Sequence, residues 1–284
     1  MFKTTLLFVT SLTLHLSLTA QADIMIQKGD KIAFLGDSIT QAGARPGGYC
    51  NLIIEALNKK GLEVTPKYAG ISGHKSNQML ARLEKDVLSH KPQWMTLSCG
   101  VNDVWHGQRG VKLEDYKKNI TSIVDQAQAA GIKVIILTST MIREDQANAL
   151  NQKLKGYNDF LVQLSKEKKC LLADLNGLMQ ETIKTMEKNS KGNTVTSDGV
   201  HMNSAGNMMM AKGILKVMGF TAEELKVTEK AWANIPGTNQ IRLNVKLSHA
   251  ELEILEKEAK AQGKSIQQVF DETLQSKKAE LLGK

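Results

Sequence analysis

The chain has 284 residues, of which 42% are hydrophobic and 23% charged, with a formal net charge of +8. This composition is ordinary for a globular protein, and the length allows one large domain with a smaller piece attached. The lysines are scattered, without the arginine-rich or aromatic-interleaved stripe of nucleic-acid-binding proteins, so no nucleic-acid partner is expected. Neither the histidines nor the cysteines (Cys50, Cys99 and Cys170) have the spacing of metal ligands, so no metal or cofactor is expected.

The first 22 residues have the pattern of a secretory signal peptide. Met1-Phe2-Lys3 is a short basic start, residues 4–20 are apolar and uncharged, and Ala20-Gln21-Ala22 has the small residues of a cleavage site. The apolar stretch is short for a membrane span and no cysteine lies at the cleavage point, so no stable membrane anchor is expected. The alternative is an uncleaved single anchor. We expect residues 1–22 to be removed and the protein to be exported to a periplasmic or extracellular location.

Between residues 23 and 220, apolar runs alternate with segments of helical period, which is typical of a parallel sheet covered by helices. Strands are predicted at 31–36, 62–68, 94–99, 133–139 and 170–174. Helices are predicted at 48–60, 76–89, 113–130, 146–169, 176–188 and 204–218. The predicted fold class is therefore α/β, a three-layer sandwich with a five-stranded, mainly parallel sheet.

After Phe220 the pattern changes. A helix is predicted at 222–232, and the residues that follow, Ile235-Pro236-Gly237-Thr238-Asn239, are typical of a linker. We therefore assign residues 221–240 as a linker helix and loop.

The last segment, residues 241–284, has the pattern of a strand followed by two helices. Apolar and polar residues alternate over 241–247, as in a half-buried strand, and capping boxes at Ser248 and Ser265 each open a helix. The segment resembles a ribbon-helix-helix module, a family in which the strand pairs in a dimer and reads DNA. The predicted export and the near balance of eight basic and seven acidic residues argue against DNA. We expect the segment to form a homodimer contact or to pack on the main domain.

Three loops of the main domain carry polar or glycine residues directly after predicted strands. Ser38 follows the first strand, Gly73 the second and Asn102 the third. In open α/β sheets, ligands bind beyond the carboxyl ends of the strands. The three loops are therefore predicted to open on one edge of the sheet.

A fourth block, Asp198-Gly199-Val200-His201, supplies the remaining groups needed to activate a hydroxyl. Serine is a weak nucleophile at neutral pH unless an imidazole takes its proton and a carboxylate holds that imidazole in the right tautomer. The spacing of three residues lets Asp198 lie beside the ring of His201. Ser38, His201 and Asp198 are therefore the candidate catalytic residues.

The four ordered blocks resemble the SGNH (GDSL-type) hydrolases, which are named for Ser, Gly, Asn and His. The match is Ser38, Gly73, Asn102 and His201 with Asp198, and it extends over about residues 31–218. One departure is Tyr68-Ala69, where the family often has an Asn before the glycines.

The resemblance implies a flavodoxin-like SGNH hydrolase fold and an acyl-enzyme mechanism. It also implies an oxyanion hole formed by the backbone N–H groups of Ser38 and Gly73 with the side-chain amide of Asn102. Substrates in the family extend from acetylated polysaccharides to lysophospholipids and thioesters. Since export brings a protein to extracellular glycans, and the loops are polar, O-acetylated carbohydrate is the preferred substrate class.

Four neighbours of these blocks are candidate substrate contacts. Asp37 precedes Ser38, and Trp105 and His106 follow Asn102 closely. An indole there could stack on a sugar ring, and the alternative is packing within the loop. Arg45, in a glycine-rich loop, could bind an acidic group of a substrate, and the alternative is a plain solvated arginine.

Other functions are less consistent with the sequence. An α/β-hydrolase would need G-x-S-x-G, but Thr40 stands where the second glycine belongs. Each block alone could be an ordinary turn or helix cap. The main alternatives are a lysophospholipase- or thioesterase-type lipolytic enzyme and a non-catalytic glycan-binding protein on the same scaffold. Either a small-molecule or a polysaccharide ester is the expected binding partner of the enzyme.

Overall fold

The computed structural model describes residues 24–186, 192–235 and 245–283. Its sheet has the strand order β2-β1-β3-β4-β5, and every described pairing is parallel. The strands are β1 (Lys31–Gly36), β2 (Thr65–Gly70), β3 (Trp94–Ser98), β4 (Lys133–Leu137) and β5 (Leu171–Ala173). The predicted fold class is confirmed.

Helices cover both faces of the sheet. They are α1 (Ser38–Gly43), α2 (Tyr49–Lys59), α3 (Ser76–Ala81), α4 (Leu83–Asp86), α5 (Val101–Trp105), α6 (Leu113–Ala129), α7 (Ala149–Glu167), α8 (Leu175–Thr185), α9 (Ser204–Val217) and α10 (Ala222–Trp232). One layer has α2, α8 and α10 packed around α9, and the other has α6 packed between α3 and α7. Because both faces are covered, the inner strands β1, β3 and β4 are mostly apolar, and Ile32, Phe34 and Leu35 in β1 are fully buried.

The second strand begins three residues later than predicted. Residues 62–64 are instead a turn, in which Glu63 has a φ of 51° and the side chain of Asn58 hydrogen-bonds to both the N–H and the carbonyl of Val64. The strand then starts at Thr65, opposite Lys31. Pro66 is accepted within it because β2 lies at an edge of the sheet.

The single helix predicted at 76–89 is broken at Arg82 into α3 and α4. Arg82 has a non-helical ψ of 3°, and its guanidinium donates to the carbonyl oxygens of Gly36 and Ala69, each at 2.9 Å. These carbonyls lie at the ends of β1 and β2, so the break in the helix lets one cation tie the two strand ends together.

The first turns of α1 lie directly against the ends of the same two strands. A Cβ placed on Gly36 would come within 2.0 Å of Thr40 Oγ1, and one on Gly70 within 2.3 Å of the backbone nitrogen of Gln41. Only glycine leaves room for the Thr40 side chain at the end of β1 and for the α1 backbone at the end of β2. The start of α1 is therefore positioned by close packing against both strand ends.

The chain divides into two compact units, residues 1–239 and 240–284. In the second unit, α11 (His249–Ala261) and α12 (Ile266–Leu281) begin at the predicted capping boxes of Ser248 and Ser265. The predicted strand is described only from Val245, where the backbone has no strand pairing, and residues 241–244 lie outside the described residues.

Two other predictions fall wholly or partly outside the described residues, namely the signal peptide and the loop around 236–240. Within the described ranges, no helix has the length and apolar character that a membrane crossing requires.

Candidate active site

Ser38, His201 and Asp198 form one hydrogen-bonded line at the carboxyl edge of the sheet. Nε2 of His201 lies 2.9 Å from Oγ of Ser38, and Nδ1 lies 2.7 Å from Oδ2 of Asp198. A carboxylate only accepts hydrogen bonds, so Nδ1 carries the proton and Nε2 is left to accept from the serine hydroxyl. Residues separated by 163 positions in the chain thus meet in the arrangement that activates a serine.

Ser38 owes its position to the capping of α1. The helix begins at Ser38, and the carboxylate of Asp37 accepts from the backbone N–H of Ile39 at 2.9 Å. Aspartate is among the preferred residues at this position because it satisfies a helix N–H that has no partner within the helix. The local sequence Gly-Asp-Ser therefore ends the strand, caps the helix and leaves the serine hydroxyl at the edge.

The loop after β2 brings Gly73 to the same place. Gly73 has a φ of 76°, in the left-handed region that favours glycine, and a Cβ there would meet no other atom within 4 Å. The requirement for glycine is thus conformational and not one of space. The side chain of Gln41 accepts from the N–H of Ser72 at 3.1 Å, which ties this loop to α1.

Asn102, in the short helix α5, has its amide held between two acceptors. Its Nδ2 donates to Oδ2 of Asp37 and to the carbonyl oxygen of His74, each at 3.2 Å. The His74 ring in turn accepts at Nδ1 from Arg82 Nε at 3.2 Å. An anionic oxygen arriving beside Asn102 would share the amide with these two acceptors.

Asp103 fastens the loops after β2 and β3 to each other. This fully buried carboxylate accepts from both the backbone N–H and the hydroxyl of Ser76, at 3.0 and 2.6 Å. Burial raises the pKa of Asp103 against the lowering effect of these bonds. The bonds fix α3, and with it the end of the Gly73 loop, to the helix that carries Asn102.

A cavity of about 350 Å³ opens in front of the serine. Its walls are Ser38, Ser72, Gly73, Val101, Asn102, Trp105, His106, Asp198, Val200 and His201. Trp105 and His106 therefore line this cavity, and Trp105 is 41% exposed.

Two predicted substrate contacts lie elsewhere. Arg45 is exposed in the turn between α1 and α2 and is not part of the cavity wall. Asp37 is 2% exposed and lies behind Asn102, so its carboxylate supports an amide donor and does not face the cavity.

The two carboxylates nearest His201 differ in their pKa. Burial raises the pKa of Asp37 from 3.8 to about 6, in spite of the bond from Ile39. Partial burial also acts to raise the pKa of Asp198, but hydrogen bonds from the backbone and ring of His201 and from the N–H of Val200 outweigh it. The pKa of Asp198 thus lies below its ordinary value, and this carboxylate stays ionised to lower pH.

We expect Asp37→Asn to remove a loss of stability that the wild type shows as the pH rises. The folded-state pKa of about 6 exceeds the ordinary 3.8, so the stabilisation from the bound proton is complete below 3.8 and is lost as the pH rises through 6. The lost amount is about 3 kcal/mol. The variant has no such loss, so its free energy of unfolding minus that of the wild type should rise across this pH window and then stay constant. Urea denaturation at a series of pH values measures this difference.

The same change should lower activity, since an amide N–H in place of the carboxylate oxygen would face the Nδ2 donor of Asn102. Asp30→Asn is the control, because Asp30 is also buried but precedes β1 at the opposite end of the sheet. Parallel pH profiles of stability for wild type and Asp37→Asn would contradict the expectation.

The arrangement can carry out nucleophilic attack on a carbonyl carbon. His201 can take the proton of Ser38, and the Asp198 carboxylate stabilises the imidazolium that forms. Ser38, Gly73 and Asn102 all line the same cavity.

Several residues that hold the site were not assigned a role from sequence. They are Gln41, His74, Arg82, Asp103 and Glu144. Asp103 follows Asn102 directly in the chain, so its place beside a candidate site residue could have indicated a role in the site. The other four have no local pattern, because each acts on a segment distant in sequence or through a bond to the backbone.

The sequence over residues 34–209 matches the family of GDSL-like lipases/acylhydrolases. It is 29% identical over 217 residues to an acetylxylan esterase of Geobacillus stearothermophilus, which covers 69% of this chain and 96% of that protein. The fold is similar to the crystal structure of Axe2, an acetylxylan esterase from Geobacillus stearothermophilus, with a TM-score of 0.63 and 27% identity over 69% of this chain and 97% of that one. A shorter similarity, 29% over 108 residues, links it to thioesterase 1/protease 1/lysophospholipase L1 of Escherichia coli K12, over 38% of this chain and 50% of that protein.

Proposed function

Since this chain belongs to the GDSL-like lipase/acylhydrolase family and is a carboxylic-ester hydrolase, we propose that it removes acetyl groups from O-acetylated carbohydrate through an acyl-enzyme on Ser38. The observation that carries the proposal is the continuous line from Ser38 through His201 to Asp198, at 2.9 and 2.7 Å, facing a cavity of about 350 Å³.

In the proposed mechanism, Nε2 of His201 takes the hydroxyl proton of Ser38 as its oxygen attacks the ester carbonyl. The tetrahedral oxyanion accepts from the N–H groups of Ser38 and Gly73 and from the Asn102 amide. The imidazolium then gives its proton to the leaving alcohol. Water, deprotonated by His201, releases the acid from Ser38 in the second half of the cycle.

The walls of the cavity favour a short acyl group. The cavity is small, about 350 Å³, and the aliphatic side chains that line it are Val101 and Val200, joined by the indole of Trp105. A long acyl chain needs a predominantly apolar lining along its length. The similarity to acetylxylan esterase over most of the chain supports the same preference.

Trp105 supports a sugar on the alcohol side of the ester. A tryptophan that is 41% exposed and borders the site leaves an apolar face uncovered. Sugar rings have apolar C–H faces that pack on such a surface while their hydroxyl groups stay in water. Trp105 is therefore the proposed platform for the carbohydrate.

The test is hydrolysis of 4-nitrophenyl esters of increasing acyl length, together with acetylated xylooligosaccharides. We expect kcat/KM for the acetate to exceed that for the octanoate by about 100-fold or more. Trp105→Ala should raise KM for the acetylated oligosaccharide roughly 10-fold, with a smaller change for 4-nitrophenyl acetate. Trp105→Phe, which keeps an aromatic face, should recover most of the loss.

Preference for long acyl chains would move the assignment to the lysophospholipase or thioesterase alternative, which the shorter similarity to the Escherichia coli protein favours. An equal rise in KM for 4-nitrophenyl acetate and for the acetylated oligosaccharide in Trp105→Ala would contradict the role of Trp105 as a sugar platform. Absence of hydrolysis on every ester would leave the glycan-binding alternative.

Export and a homodimer contact are further parts of the proposal. Export rests on the pattern of residues 1–22. The dimer contact rests on apolar side chains that the second unit leaves exposed, among them Ile254 and Leu281.

A further inference from the structure

The loop that carries Asp198 and His201 has almost no regular structure of its own. Between α8 and α9, the described residues from 192 onward form one antiparallel bridge, Thr196 with Met202, closed by a bond of 2.8 Å from the N–H of Ser197 to the carbonyl of His201. His201 and Asp198 are also 42% and 54% exposed. The bonds of Asn203 to the carbonyl oxygens of Thr194, Val195 and Thr196 join the start of the loop to α9, and a contact from outside the loop adds to them.

Glu144, in the connection between β4 and α7, is bonded to the start of this loop. Its carboxylate accepts from the backbone N–H groups of Thr194, Val195 and Thr196 and from the Thr196 hydroxyl; the last three distances are 2.9, 2.7 and 2.7 Å. Three consecutive N–H groups on one carboxylate are the donor set that an anion takes from a backbone concavity.

The Thr196 hydroxyl extends this contact towards the catalytic pair. It donates to Glu144 Oε1 and accepts from the N–H of Gly199 at 3.1 Å. Gly199 follows Asp198 directly, and its carbonyl accepts in turn from the backbone N–H of Arg143, the neighbour of Glu144. Arg143 and Glu144, two adjacent residues after β4, therefore hydrogen-bond to the loop at both its start and its middle.

The charge of Glu144 is suited to this contact. Partial burial acts to raise the pKa of Glu144, but the bonds from the Thr196 hydroxyl and the three N–H groups outweigh it and hold the pKa below its ordinary value. Hydrogen bonds to an ionised acceptor are about twice as strong as those between neutral groups.

We propose that Glu144 is a positioning residue for the His201–Asp198 pair: its carboxylate, with the Thr196 hydroxyl as a relay, fixes the catalytic loop to the end of β4. Glu144 touches neither the substrate nor the reacting atoms. The inference rests on the proposed function, because it concerns the same Ser38 chemistry.

The test compares Glu144→Gln with Glu181→Gln, which makes the same chemical change at an exposed side chain of α8 paired with Lys184. The amide turns an N–H group towards a backbone donor. Displacement of a catalytic group by as little as 1 Å can cost about 100-fold, so we expect kcat on 4-nitrophenyl acetate to fall about 10- to 100-fold. KM should change less than threefold, since the cavity wall is otherwise kept.

Amide hydrogen exchange, measured in the full chain, tests the contact of Glu144 with the loop without the need for an ester substrate. In Glu144→Gln, the amides of residues 194–203 should exchange about tenfold faster or more, while those of β1 and β3 keep the rates of Glu181→Gln. Thr196→Val should reproduce both effects, and Thr196→Ser, which keeps the hydroxyl, should recover most of the loss.

Wild-type kcat or unchanged exchange over 194–203 in Glu144→Gln would overturn the proposal. So would faster exchange throughout the sheet, since that result describes a merely structural residue. If the wild-type protein itself hydrolyses no ester, the proposed function fails, and the exchange rates alone decide whether Glu144 holds the loop.

Discussion

Ser38→Ala is expected to lower kcat for ester hydrolysis by about 10⁵- to 10⁶-fold, to the level left by binding and the remaining oxyanion donors. The substitution removes only the hydroxyl group. The N–H of residue 38 and the cap from Asp37 remain, so α1 should keep its position. The measurement is kcat on 4-nitrophenyl acetate, with labelling of the protein by a fluorophosphonate as a second readout of the nucleophile.

Ser89→Ala is a matched control, because Ser89 is an exposed serine whose hydroxyl donates to the carbonyl of Lys85. It should keep wild-type kcat and full labelling. Residual activity in Ser38→Ala above one per cent, or labelling that persists there, would place the nucleophile elsewhere.

Asp198→Asn should produce the second largest loss, about 10³- to 10⁴-fold in kcat. In the wild type, the carboxylate accepts from Nδ1–H of His201 and so leaves Nε2 free to take the Ser38 proton. The amide of the variant can donate to Nδ1 instead, and the ring proton would then sit on Nε2. A protonated Nε2 cannot accept the proton of Ser38. The geometry is thereby kept while the tautomer becomes wrong for a base.

The control for this variant is Asp159→Asn, an exposed aspartate paired with Lys155 on α7. Its kcat should equal that of the wild type. Asp198 is 54% exposed, so water competes for its carboxylate. A loss below tenfold would mean that solvent supplies most of the orientation and that the carboxylate is dispensable.

The sequence pattern was sufficient for the parts of the molecule that depend on local information. Runs of mostly apolar residues predicted β1, β3 and β4 to within two residues, because strands covered on both faces have few polar positions. The polar and glycine residues after β1, β2 and β3 predicted the edge at which Ser38, Gly73 and Asn102 gather.

The pattern failed where a single distant bond decides local structure. The bonds of Asn58 to Val64 give residues 62–64 a turn where a strand is predicted. The bonds of Arg82 interrupt the helix that the apolar periodicity predicts at 76–89. Glu144 is the same kind of case. A charged residue in a loop predicts a solvated side chain, and only the folded backbone shows three N–H groups converging on it.

The close approach of α1 to Gly36 and Gly70 has a consequence for how such an enzyme can diversify. The Thr40 side chain at Gly36 and the Gln41 backbone at Gly70 fill the space that a Cβ would need, so substitution at these two glycines has little means of shifting the serine gradually. The positions of His201 and Asp198, by contrast, depend on side-chain contacts such as that of Thr196 with Glu144, which conservative replacements can change in steps. In a directed-evolution experiment, we therefore expect accepted mutations to retune the reach of the imidazole around an invariant nucleophile.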